Sequence, residues 1–166
     1  MSNHVHFVCV PRDEDSLSRT INTLHMRYSQ YINRRKKASG HLWQGRYYST
    51  ILDSPHVYAA VRYVENNPVR AGIVTKAEDY LWSSAREHGK RNFDGIVSPS
   101  CYLVEEIKDW HRYLREHQEQ VMVDNIRRGS MTGRPCGDEK FIRKLEKKFG
   151  RRLQALPHGR PQSKRK

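Results

Sequence analysis

Acidic residues almost disappear from the end of this chain. After residue 124 there are 3 Asp/Glu against 14 Lys/Arg, whereas residues 1–124 hold 15 against 17. The formal net charge of +13 therefore divides into a near-neutral body and a strongly basic tail. Such a tail is either a solvated terminus or a nucleic-acid surface, where cationic side chains release counterions from phosphates. The histidines described below favour the second reading. Cysteine is scarce too. Cys9, Cys101 and Cys136 are odd in number and never spaced Cys-x-x-Cys. That argues against a disulfide framework and a zinc ribbon, and it fits a reducing cytoplasm. Long hydrophobic runs are missing: nothing approaches the ~18–20 apolar residues of a membrane span. The first apolar run, Phe7-Val8-Cys9-Val10, ends at Pro11 and is too short for a signal peptide. With 36% apolar and 30% charged residues, the expected core is modest.

What is present begins at the N-terminus. His4 and His6 flank Val5 at the head of a run that reads as a β-strand over 4–10. Alternate strand residues share a face, so the two imidazoles are expected side by side, roughly 7 Å apart. Such a pair can hold one divalent metal, and a metal on a basic chain points to phosphate chemistry. Taken alone, His-x-His is more often two ordinary histidines.

A helix is expected from Ser16 to about Asn33, followed by a basic break at Arg34–Lys37 that ends near Gly40. Residues 42–52, rich in aromatic and β-branched types, read as extended. Asp53-Ser54-Pro55 is a helix start, and Pro68 ends that helix near Asn66. A turn and short helix follow over 78–85, then a loop at 89–98. Residues 101–127 are helical by composition, 129–137 form a breaker-rich linker, and Asp138 caps a last helix to about Phe149. Residues 155–166 are expected to be disordered.

The second informative stretch is Arg62-Tyr63-Val64-Glu65-Asn66-Asn67-Pro68-Val69-Arg70-Ala71-Gly72. Tyr63 and Asn67 lie four apart and share a helix face. A phenol becomes a useful nucleophile when a neighbouring cation stabilises the developing charge. An amide oxygen one turn along can complete a metal shell begun by the histidines. Arg62 and Arg70 could hold phosphates. By themselves, Tyr63 would more often pack a helix and Asn67 would more often end one.

Together, His-Val-His heading a strand, Leu-Trp-Gln-Gly-Arg-Tyr at 42–47 and Tyr-Val-Glu-Asn-Asn-Pro-Val-Arg-Ala-Gly at 63–72 resemble the IS200-like tyrosine transposases. The stretch Glu78–Ala85 and the tail beginning Thr132-Gly133-Arg134-Pro135 resemble the branch associated with repetitive extragenic palindromes. The resemblance implies an HUH-type single-strand DNA endonuclease and strand transferase acting in DNA transposition. Tyr63 would be the nucleophile, forming a 5′-phosphotyrosyl link. His4, His6 and Asn67 would bind Mg²⁺ or Mn²⁺, and the substrate would be single-stranded DNA folded into palindromic hairpins. It also implies an α+β, ferredoxin-like antiparallel sheet with helices. In relatives the histidine pair follows an N-terminal strand and helix, so a domain truncated at that end is expected here. The implied division is a catalytic domain over 1–90, a helical extension over 91–128 and a basic DNA-binding tail over 129–166. The implied setting is the bacterial cytoplasm and nucleoid, with no membrane, and a homodimer is compatible with it.

Arg46 and Tyr47 are expected DNA contacts. Trp43, Tyr47 and Tyr48 could stack on bases or close the core, and both readings stay open. In the tail, Arg134 of the first Gly-Arg-Pro resembles a minor-groove hook. Arg143, Lys144, Lys147 and Lys148 would meet the DNA backbone. Two other functions compete. One is a non-catalytic DNA-binding remnant of such a transposase. The other is a histidine-triad nucleotide hydrolase, whose next same-face histidine is here Val8.

Overall fold

The computed structural model describes residues 3–93, 95–99 and 101–155. The chain divides into two compact units, residues 1–49 and 50–166.

The first unit contains one long helix, α1 (Ser16–Lys36). No glycine, proline or acidic residue occurs within it. The Ser16 hydroxyl accepts from the amides of Arg12 and Asp13 and so shapes the entry turn. The helix runs through the expected basic break. Arg34, Arg35 and Lys36 form its last turn, where cations suit the negative end of the helix dipole. Lys37 then stops it in the left-handed conformation. Trp43 folds back onto α1: its ring stacks on His25 at 4.0 Å, and its Nε1–H donates to the His25 carbonyl at 3.1 Å. Trp43 therefore closes this small unit, whereas Tyr48 is exposed.

The expected ferredoxin-like sheet is not formed. Among the described residues the only β-pairing is an isolated parallel bridge between Leu52 and Cys136. Residues 4–10 carry no regular structure, and Val5, Phe7, Val8 and Val10 are all exposed. Residues 42–51 are irregular as well. The physical reason is pairing: a strand exists only against a neighbour that satisfies its amides and carbonyls. No described segment pairs with 4–10, so its strand-like composition goes unused.

The second unit is helical. Its elements are α2 (Ser54–Glu65), α3 (Asn67–Arg70), a 3₁₀ turn at Ala77–Asp79, α4 (Ala85–Lys90), α5 (Tyr102–Glu106), α6 (Trp110–Arg115), α7 (Gln120–Thr132) and α8 (Glu139–Phe149). The long helix expected over 101–127 is broken into α5, α6 and the start of α7. Asp109 caps α6 by accepting from the Arg112 amide, which turns Trp110, Tyr113 and Leu114 into the core.

Helix α2 is the hub. Val61 joins Leu103, Val104, Trp110, Tyr113 and Leu114 in one apolar cluster. Ala59 and Ala60 meet Ile126 of α7 in a second, with Leu52, Tyr63 and Met122 packed against it. Small side chains on α2 let α7 approach closely. Gly129 continues α7 where a linker was expected, because only glycine fits there. A Cβ at that position would lie 2.4 Å from the Cys136 sulfur and 3.2 Å from the Arg134 carbonyl oxygen.

Asp53 joins two helix starts. It accepts from the amide and ring of His56 and from the amide of Asp138. Burial pushes its carboxyl up, but those hydrogen bonds outweigh burial and hold it below its ordinary value. A lowered folded value adds stability above the unfolded carboxylate pKa of about 4, which is lost as pH falls through the folded value. Asp53→Ala is therefore expected to cost about 1–2 kcal/mol at pH 7. The gap from wild type should close progressively in thermal melts below pH ~4. A gap that stays constant down to pH ~2 would refute the assignment.

Candidate active site around Tyr63

Tyr63 sits on the last turn of α2, half-buried against the Ile126 cluster. The chain then turns through Asn66, whose side-chain amide donates to the Leu114 carbonyl at 2.8 Å. Pro68 occupies the first turn of α3, where its missing N–H costs nothing. This tight α2–α3 connection brings Asn67 and Arg70 back beside Tyr63.

The Arg70 guanidinium lies 3.9 Å over the Tyr63 ring. Its Nη2 donates to the Asn67 Oδ1 and, at 3.4 Å, to the Tyr63 carbonyl. A second guanidinium, Arg127 of α7, is 5.7 Å from the same ring centre and also hydrogen-bonds the Tyr63 side chain. Asp124 pairs with Arg127 at 3.6 Å. Burial lowers the Arg70 pKa, and the charge of Arg127 lowers it further against the opposing pull of Tyr63. The hydrogen bond and charge of Tyr63 raise Arg127. Two cations thus crowd one phenol, and both arginines are exposed to solvent.

Asn67 is 8% exposed. Arginine only donates, so the oxygen of Asn67 must face Arg70 and its nitrogen must face away. That Nδ2 is buried and has no hydrogen-bond partner.

Arg62 takes a different direction from the one expected. It stacks on the Tyr113 ring at 4.3 Å and pairs with Glu116 at 2.9 Å, so it braces α2 against α6. His4 and His6 belong to the first unit, where both are exposed and their rings meet edge-on at 5.0 Å. His4 Nδ1 also meets Asn3 Oδ1 at 2.7 Å. No group of three or more His, Cys, Asp or Glu among the described residues could hold a metal. Hard cations such as Mg²⁺ ask for oxygen ligands, and the one expected oxygen, that of Asn67, already accepts from a guanidinium.

Arg46 is exposed and Tyr47 half-buried, both in the first unit. Arg134 is exposed after Gly133, which closes α7 in the left-handed conformation. Arg143, Lys144, Lys147 and Lys148 line the exposed face of α8, with Arg143 paired to Glu139 at 2.5 Å. The second Gly-Arg-Pro, at 159–161, and the rest of the tail beyond 155 lie outside the described residues.

Residues 1–67 match the family model described as Transposase IS200 like. The match supports the IS200-like transposase family for this chain. It spans 67 of the 166 residues and includes His4, His6, Tyr63 and Asn67. It supports a transposase-like, DNA-cleaving function with DNA as partner. No curated protein and no solved structure matches the chain. Among the described residues no helix is long and apolar enough to cross a membrane. Arg127 lies outside the IS200-like segment, and the sequence reading missed it. Its signal was indirect: Met122, Ile126 and Gly129 mark a helix face that suits the small Ala59-Ala60 step of α2.

Proposed function

We propose that this protein cleaves and rejoins single-stranded DNA at palindromic hairpin ends, with Tyr63 as the nucleophile. The branch in this proposal is taken from the resemblance of residues 78–85 and of the tail from Thr132 to transposases associated with repetitive extragenic palindromes. The observation that carries the proposal is the Tyr63 phenol beneath the Arg70 guanidinium, at the end of the segment that matches the IS200-like family. The phenol oxygen loses its proton and attacks a backbone phosphorus. A phosphorus–O(Tyr) bond forms as the bond to the 3′ oxygen breaks, and that oxygen leaves as a hydroxyl. The cation beside the phenol stabilises the charge that develops on the phosphate. Attack by a second 3′-hydroxyl reverses the step and joins strands. Exposed Arg46, Arg134, Lys144, Lys147 and Lys148 supply salt-dependent backbone contacts.

A second reading is favoured by one observation. Among the described residues no sheet carries His4 and His6, and residues 4–10 have no regular structure. On this reading the chain binds DNA hairpins without cutting them. The deciding experiment incubates the full chain with Mn²⁺ and single-stranded oligonucleotides that carry hairpins and flanking bases. Peptide mass spectrometry then looks for a nucleotide adduct on Tyr63. An adduct supports strand transfer; salt-dependent binding across a panel of hairpins with no adduct selects the binding-only reading.

A further inference from the structure

We propose that Asn67, Arg70 and Arg127 form a clamp for one phosphate beside the Tyr63 phenol, with Asn67 acting as a hydrogen-bond donor to that phosphate and not as a metal ligand. The inference rests on the reading of Tyr63 as a nucleophile and deepens it. It makes α7, which lies outside the family-matched segment, part of the site.

Three observations converge on an anion. The first is the buried Asn67 Nδ2, a donor with no acceptor. A buried amide left unpaired costs about 1–3 kcal/mol, and an incoming oxygen removes that cost. The second is the orientation of the same side chain. Its oxygen accepts from Arg70, so one of its two lone pairs is already engaged by a cationic donor. The third is the pairing of Arg70 with Arg127 across one aromatic ring, at 3.9 Å and 5.7 Å. Like charges so close repel: burial is the main cause of the lowered Arg70 pKa, and the charge of Arg127 adds to it. A bound phosphate turns that repulsion into two charge-assisted hydrogen bonds. Asp124, one turn before Arg127 on α7, is the single carboxylate paired with either arginine among the described residues, and it holds Arg127 in place.

The clamp also orients the reaction. A phosphate held by these two guanidinium groups would lie beside the Tyr63 ring that both of them flank. Its charge is neutralised by side chains that are present before DNA arrives.

The test uses the full chain and inorganic phosphate, followed by NMR of the Asn67 side-chain amide and the Tyr63 ring. Phosphate is expected to shift both signals in wild type. Arg127→Ala, an exposed change that leaves the core intact, is expected to weaken the response about tenfold. Asn67→Asp, which replaces the donor by a negative acceptor, is expected to abolish it. Mn²⁺ is expected to leave the Asn67 amide sharp. The clamp is overturned if phosphate leaves the amide unmoved, if Arg127→Ala titrates like wild type, or if Mn²⁺ broadens Asn67. A phosphate response without any DNA adduct would leave the clamp standing and remove the nuclease reading. An adduct whose yield ignores Arg127→Ala would do the reverse.

Discussion

Tyr63→Phe is expected to leave hairpin binding within about twofold and to lower adduct formation by at least ~10³-fold, below detection in a gel or mass assay. The substitution removes one oxygen together with its hydrogen bond to Arg127. The ring that carries the Arg70 guanidinium at 3.9 Å remains, as does its packing against the Ile126 cluster. The fold should therefore survive, and backbone contacts made elsewhere keep the affinity. What is lost is the phenol oxygen proposed to form the phosphorus–oxygen bond. Adduct that persists in Tyr63→Phe would mean that another residue is the nucleophile. Loss of binding together with adduct would mean that the hydroxyl serves recognition.

Glu65→Ala should be the most damaging change to stability. Glu65 is 1% exposed at the end of α2, two residues after Tyr63. One oxygen accepts from the Ser84 hydroxyl at 2.5 Å and meets His88 Nδ1 at 2.7 Å. The other accepts from Trp110 Nε1 at 2.7 Å. This one side chain thus ties α2 to α4 and α6. Truncation leaves the buried Trp110 donor and the Ser84 and His88 groups with nothing in reach. Removing one partner of a buried network of this kind costs about 3–5 kcal/mol, comparable with the whole stability of a small domain. Glu65→Gln keeps the volume but turns an NH₂ toward groups that also donate, and should cost about 1–3 kcal/mol. Urea unfolding followed by circular dichroism measures both. An alanine variant within ~0.5 kcal/mol of wild type would show that the network is not a structural tie.

Much of the helical layout could be seen in the residues. Asp53-Ser54-Pro55 starts α2 and Asp138 starts α8, because a capping oxygen and a first-turn proline are local devices. Tyr63 and Asn67 were expected on one helix face; the structure divides them between α2 and α3, where Arg70 reaches both. Helix α1 outran its expected end, since arginine and lysine are good helix formers and favour a C-terminal turn. The sheet failed for the opposite reason. Residues 4–10 have strand composition, but strand formation depends on a distant partner that composition does not supply. The single helix expected over 101–127 failed because Trp110, Tyr113 and Leu114 each had to reach the core.

The kinds of chemistry available to this chain were set by residue identity: a phenol, an amide one turn on, a histidine pair and a basic tail. Local spacing was enough to place Tyr63, Asn67 and Arg70 on one connection. Packing alone decided that Arg62 braces Tyr113, that Glu65 is an internal tie and that Arg127 comes from sixty-four residues downstream to sit over Tyr63. Capping and helix propensity act within a turn or two and leave their mark on neighbouring letters. Close approach of α7 to α2 depends on small residues meeting across space, and no local pattern encodes which arginine that contact delivers.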